Sequence, residues 1–145
     1  MSTKQNKAVV RRLNEAIISQ GNVEALEELV AVDVHDNSAL PGSPPGRERV
    51  KQLFFDLYRT AFPDLRAEIY DMIAEGDKVV TRKAFHGTHQ GPLMGIPPIG
   101  RQVTILVTDI VRVVDGQIVK HWANVDQLGL MQQLGVIPAP GAMPA

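Results

Sequence analysis

No cysteine occurs in the 145-residue chain. That absence excludes a disulfide framework, a thiol nucleophile and a thiolate metal site, while leaving the compartment open. Aromatic residues make up only 5%, with a single tryptophan, Trp122. Neither sign of charge prevails: 15 Lys and Arg face 16 Asp and Glu, a net charge of −1. A near-neutral chain offers no electrostatic footprint for nucleic acid or an anionic membrane. The longest apolar runs fall far short of the ~20 residues needed to span a bilayer. The N-terminal MSTKQNK has no signal-peptide apolar region, so the expected compartment is the cytoplasm. The four histidines (His35, His86, His89 and His121) show no HxxxH or HxH spacing with a third ligand, and no metal is expected. A single soluble domain remains, of a size that buries roughly 68–70% of its unfolded surface.

The patterns that are present read as helices followed by strands. Ser2 and Gln5 have capping-box spacing ahead of Val9, Val10, Leu13, Ala16 and Ile17, a helical apolar stripe that Gly21 is placed to end. Asn22 can cap a second helix bearing Leu26, Leu29 and Val30. Residues 38–46, with three prolines and two glycines, form a loop. Val50, Leu53, Phe54, Leu57, Tyr58 and Ala61 make a third helical stripe that Pro63 closes. Beyond it the period changes to strands at 65–74, 78–87, 102–114 and 117–125. Asp115-Gly116 between the last two predicts a type I′ hairpin. A short helix over 127–134 precedes Gly135 and a Pro/Ala-rich end. This order predicts an α+β fold: a conical barrel made of a strongly curved antiparallel sheet wrapped around three N-terminal helices, with a short C-terminal helix. The domain is expected to span 1–137, with 138–145 as a tail. Helices on one face of a bent sheet leave a conical cavity suited to a small molecule.

The hairpin turn allows a register to be written. A two-residue loop pairs Val114 with Gln117 and places Asp109 opposite Trp122. Alternation then puts Asp109, Val111, Lys120, Trp122, Asn124 and Asp126 on one face, and Thr108, Ile110, Arg112 and His121 on the other. A single bulge would invert everything beyond it. The first face mixes carboxylates with apolar neighbours, which suits a cavity containing perturbed ionisable groups. The other face is apolar enough to predict a homodimer through the outer side of the sheet.

The strings NKAVVRRLNEAI, AFPDL, AEGDKVV, GTHQGPLMGIPPIGR, DIVRVVDGQIVKHW and DQLGLMQQLG resemble the SnoaL-like polyketide cyclase (ester cyclase) family, within the nuclear-transport-factor-2-like fold. The resemblance covers residues 6–136, and GTHxGxxxGIPPxG is its most specific phrase. It implies a conical pocket, a dimer and cofactor-free chemistry: intramolecular aldol ring closure of a polyketide ester by one aspartate acting as acid/base. That aspartate matches Asp126. Family members often carry Asp-His-Asn at the first short strand, where this chain has His35-Asp36-Asn37.

The candidate site follows from these readings. Asp126 is either the acid/base, needing a mostly dry pocket that raises its pKa, or the N-cap of the last helix. Asp109, about 13 Å along the sheet at ~3.3 Å per residue, is a second polar group on the ligand or a salt-bridge partner of Lys120 or Arg82. Trp122 offers a flat wall for a ring-shaped, hydrophobic ligand, and Asn124 an oxyanion donor. His35 and Asn37 border the cavity mouth, His86 is a candidate acid or electrophile, and Met94 and Ile96 sit in an apolar loop, 91–100, read as a lid or a stiff rim. Two other functions fit the same fold. One is a non-catalytic small-molecule binder. The other is an epoxide or ester hydrolase, which needs Arg82 or Arg112 beside Asp109 to hold a water.

Overall fold

A computed structural model describes residues 2–39 and 41–138. Most of the expected tail therefore lies outside the described residues. The chain opens with α1 (Thr3–Arg12), started by the predicted box: Gln5 N–H donates to Ser2 Oγ at 3.1 Å, and Ser2 N–H to Gln5 Oε1 at 2.9 Å. The helix runs on into a wider, π-helical segment, Leu13–Ser19, and ends at Gly21, whose φ of +66° suits glycine. Asn22 Oδ1 accepts from Glu24 N–H at 3.1 Å and caps α2 (Glu24–Leu29).

Val30 does not extend that helix. It begins β1 (Val30–Asp36), in which β-branched Val30 and Val34 are buried and Val32 points to solvent. The apolar stripe over 50–61 forms a second rod: α3 (Arg47–Lys51), a π-helical stretch Gln52–Tyr58, and α4 (Arg59–Ala61). Phe62 leaves the helical region just before Pro63, as the proline demands.

Strands β2 (Arg66–Glu75), β3 (Lys78–Thr88), β4 (Gln102–Val114) and β5 (Gln117–Val125) form one antiparallel run, and α5 (Gln127–Gln133) follows. The sheet order is β1-β5-β4-β3-β2, with β1 parallel to β5 at the edge. No hairpin joins β1 to β5, so nothing local forces them antiparallel. One face of the sheet packs on the two helical rods through Val79, Phe85, Val103, Ile105, Val107, Val111 and Ile118.

The β4–β5 hairpin decides which residues enter the interior. Asp115 and Gly116 both have positive φ (+50° and +79°), the predicted turn. Val114 pairs with Gln117 and Val113 with Ile118, as calculated. The ladder then slips: Arg112 pairs with Lys120, Val111 with His121 and Ile110 with Trp122. Val119 is the extra residue of a bulge, and every β5 side chain beyond it changes face. His121 therefore shares the inner face with Asp109 and Val111. Lys120, Trp122 and Asn124 move to the outer face, which corrects the calculated register.

The other edge of β1 is covered by the loop that leads into α3. Arg47 donates from Nε and a terminal nitrogen to Val30 O at 2.9 and 2.8 Å. Gly46 crosses Val32 with φ +68° and ψ −152°, a conformation nearly exclusive to glycine, and a Cβ there would lie 2.5 Å from Val32 O. Gly46→Ala should therefore destabilise the fold by about 1–3 kcal/mol. In hydrogen exchange, the β1 amides should lose protection before those of β3 and β4.

Candidate active site

Four strands and both helical rods bring one set of polar side chains into the apolar interior. Lys83, on the inner face of β3, has 2% of its side chain exposed, and Asp109, diagonal to it on β4 where it pairs with Thr81, has 4%. Lys83 Nζ lies 2.8 Å from Asp109 Oδ2 and donates to Asn14 Oδ1 at 3.0 Å. Asn14 is itself buried and donates to Val10 O at 2.9 Å, which anchors the group to the first helical rod. His121 approaches the same oxygen of Asp109, with Nε2 3.6 Å from Oδ2. Its Nδ1 lies 3.1 Å from Asp36 Oδ1, at the end of β1. Asp36 Oδ2 is 3.7 Å from Arg49 Nε on α3. The result is an alternating row of charge across the interior: Lys83, Asp109, His121, Asp36, Arg49.

The electrostatics follow from that alternation. Burial pushes the Asp109 carboxyl up, but the Lys83 charge and the His121 contact outweigh it and hold Asp109 below the usual range. Asp36 behaves likewise: burial raises it, and His121, Ser38 N–H and Arg49 bring it below its ordinary value. Burial lowers the His121 imidazole, yet its bonds to Asp109 and Asp36 prevail and raise it. The site therefore holds ionised carboxylates around an imidazole that favours its proton.

Asp109, Lys83 and His121 line a pocket of about 30 Å³, closed by Leu13, Val34, Leu53, Phe54 and Val111. That space suits a small group or about two waters. Asp109 Oδ1 takes no hydrogen bond there. Val34 and Asp36 also line an open groove of about 500 Å³ between β1 and the 43–49 segment, bordered by Val32, Pro44, Pro45 and Arg49. The pocket and the groove thus adjoin at Asp36. Among the described residues, no cluster of three or more His, Asp or Glu is arranged to hold a metal ion.

The remaining predicted residues lie elsewhere. Asp126 is exposed and N-caps α5, its Oδ1 accepting from Gly129 N–H at 2.9 Å. The bulge places Trp122 on the outer face, with Lys78 Nζ 5.7 Å from its ring centre, and exposes Asn124 there. His86 alternates outward from β3 and bridges Thr104 (3.0 Å) and Glu68 (2.9 Å). His35 is exposed on the groove rim. Asn37 is exposed too, and its backbone N–H donates to His121 O at 2.8 Å. The 91–100 loop is fastened to the second rod by Gln90 and Gly91 N–H groups donating to Ala61 O, and its turn is closed by paired bonds between Leu93 and Ile96. Its Met94 is exposed and its Ile96 packs on the core, and neither lines the Asp109 pocket. Arg82 and Arg112 pair with Asp71 and Asp77 on the outer side, so the carboxylate–arginine set that a hydrolase would need is not beside Asp109. Lys83, His121, Asp36 and Asn14 were not among the expected site residues. Lys83 carried one usable signal, since a lysine between Thr81 and Phe85 alternates onto the apolar face of its strand.

The matched sequence family is the SnoaL-like polyketide cyclases, over residues 8–134. The chain belongs to that family. Aklanonic acid methyl ester cyclase DnrD of Streptomyces peucetius is 29% identical over 129 residues, 88% of each chain. Among solved structures, TsrD from Streptomyces laurentii matches with a TM-score of 0.84 at 28% identity, covering 94% of this chain and 99% of its own. IdmH from Streptomyces antibioticus matches with a TM-score of 0.78 at 34% identity, covering 90% and 99%. The SnoaL-like chain thus has the nuclear-transport-factor-2-like cone, and its relatives support a cyclase-type function.

The paired charges give this SnoaL-like site a signed pH signature. A raised His121 adds stability that is fully present below its unfolded value near 6.5 and is lost as pH rises through the folded value. The stability difference between wild type and His121→Gln, measured by urea unfolding, should therefore shrink between pH 6 and pH 9. The contributions of Asp36 and Asp109 run the other way, being present at neutral pH and lost as acid protonates them.

Proposed function

We propose that this protein closes a ring in a polyketide-type β-dicarbonyl ester without a cofactor, with Asp109 as the acid/base and His121 as donor to the developing oxyanion. The supporting observation is the environment of Asp109: a buried carboxylate with one oxygen held by Lys83 and the other free of hydrogen bonds, in a pocket. Asp109 removes the proton from the carbon between two carbonyls. A carboxylate kept ionised by Lys83 is a weak base, so the transfer depends on stabilising the enolate as it forms. The charge moves onto a carbonyl oxygen, where the protonated imidazole supplies a charge-assisted hydrogen bond in a low-dielectric site. The enolate carbon attacks a second carbonyl of the same molecule, and the new alkoxide takes a proton. Apolar walls from Leu53, Phe54 and Val111 hold water away from the enolate.

Aklanonic acid methyl ester, the compound named for the relative DnrD, is the first substrate to offer. Asp109→Asn, which leaves the Lys83 charge unpaired and should lower stability, should lower kcat/KM by about 10²–10⁴-fold when measured at a temperature where circular dichroism shows it folded, and Asp126→Asn should cost far less. The reverse ranking would return the acid/base role to Asp126. A binder without catalysis is the second reading, favoured by the small volume beside Asp109. It predicts ligand binding with no turnover in wild type.

We further propose a homodimer through the outer face, where Ile73 is 66% exposed and Leu106 49%, with Ile110 and Val114 alongside. Wild type should sediment as a dimer and Leu106→Glu as a monomer. A monomeric wild type would refute this arrangement.

A further inference from the structure

The His35-Asp36-Asn37 segment lies against His121 in a way that the ring-closure scheme does not use. The end of β1 holds this one residue at both its backbone and its ring. Asn37 N–H donates to His121 O at 2.8 Å, and Asn37 Nδ2 reaches the same oxygen at 3.3 Å. Asp36 Oδ1 meets His121 Nδ1 at 3.1 Å. Asp36 is held in turn: Ser38 N–H donates to the same Oδ1 at 2.9 Å, and Arg49 faces Oδ2 at 3.7 Å. Only 7% of the Asp36 side chain is exposed, so water competes little for it.

We infer that Asp36 is a positioning residue: it binds Nδ1–H of His121 and so turns Nε2–H toward Asp109 and the reacting atoms. An imidazole hydrogen-bonded through Nδ1 to a carboxylate has a fixed ring plane and a fixed protonated edge. With no such partner, the ring of His121 could rotate, and either nitrogen could face the pocket. The charged and polar groups surrounding it are Asp109 on β4, Lys83 on β3, Asp36 on β1, Arg49 on α3 and Asn14 on the first rod. Two of these are carboxylates in direct reach of the imidazole, one at each nitrogen, whereas the cations reach it only through those carboxylates. Asp36 also borders the groove, so it joins the buried pair to the side from which a ligand has access. The inference rests on the reading of His121 as the proton donor of the site, but the conformation and titration of the imidazole are measurable without a substrate.

The test is nitrogen NMR of His121 across pH, assigned by loss of its signals in His121→Gln. In wild type, both ring nitrogens should stay protonated to a pH above that of a free histidine. On deprotonation, the proton should remain on a single nitrogen. Asp36→Asn should lower the midpoint by about one unit and give a mixture of the two neutral tautomers. On a turned-over β-keto ester, the same variant should move the alkaline limb of the kcat/KM profile down by the same amount, with KM little changed. A folded Asp36→Asn protein in which His121 titrates as in wild type overturns the inference. If that variant does not fold, Arg49→Met decides. Freed from the guanidinium, Asp36 should raise the His121 midpoint, and an unchanged or lower midpoint overturns the inference. Absence of turnover in wild type with the NMR shift intact would remove the cyclase reading and leave the positioning role standing.

Discussion

Lys83 and Asp109 sit diagonally from each other on the inner face of the central strands, both almost fully buried. Neither charge can be carried there alone, since an isolated ion in that environment loses several kcal/mol of hydration. Their attraction offsets this only if the remaining donors and acceptors are also met, and the neighbours answer that need. Asn14 takes a second Lys83 proton and passes the restraint to Val10 O. His121 approaches the same Asp109 oxygen that Lys83 holds, and Asp36 approaches His121. The pair therefore ties β3 and β4 to the first helical rod and, through His121, to β5 and β1. Replacing it with apolar side chains of similar volume could leave the fold as stable, but would remove the ionised carboxylate that the chemistry needs.

The parts of this architecture governed by local rules were legible in the sequence. The Ser2/Gln5 box, the stop at Gly21, the break before Pro63 and the Asp115-Gly116 turn each depend on residues a few positions apart, and each formed where its chemistry required. Both strands of the hairpin also have the expected limits. Asp109 was rightly placed facing the interior, because β4 alternates without interruption from Val103 to Val113. The failures on β5 share one cause. Val119 is a β-branched residue in a run of good strand formers and nothing in its type announces a bulge, yet the slip there exchanges His121 for Trp122 on the inner face. The residues read as companions of Asp109 on β5 consequently moved outside together, while the histidine assigned to the outer face became its neighbour.

Asp36 was overlooked for a different reason. Its segment attracted notice, but its role exists only because β1 lies parallel beside β5, about 85 positions later in the chain. Hydropathy does not encode such a pairing, because a parallel neighbour requires no turn between the strands. Asp126 shows the converse. Its position before a helix had a complete local explanation as an N-cap, and in the structure that local role occupies the carboxylate.

The size of the cavity bears on how a large substrate meets this dyad. About 30 Å³ beside Asp109 is room for a small group and little more, so under the proposed ring closure the body of the substrate would belong in the adjoining groove of about 500 Å³. The two share Val34 and Asp36 of β1, while the helical rods wall the small pocket at their π-helical segments: Leu13 comes from one, Leu53 and Phe54 from the other. A π-helical turn is wider and more weakly packed along its axis than an α-helical one, and it is retained where a side chain must be set off the regular stripe. Here both rods carry one over the same pocket. Leu53 and Phe54 thus wall the pocket from the second rod, and the groove meets it at Val34 and Asp36. The Lys83–Asp109 charge pair of the site thus lies in the sheet, and much of its apolar cover comes from the rods.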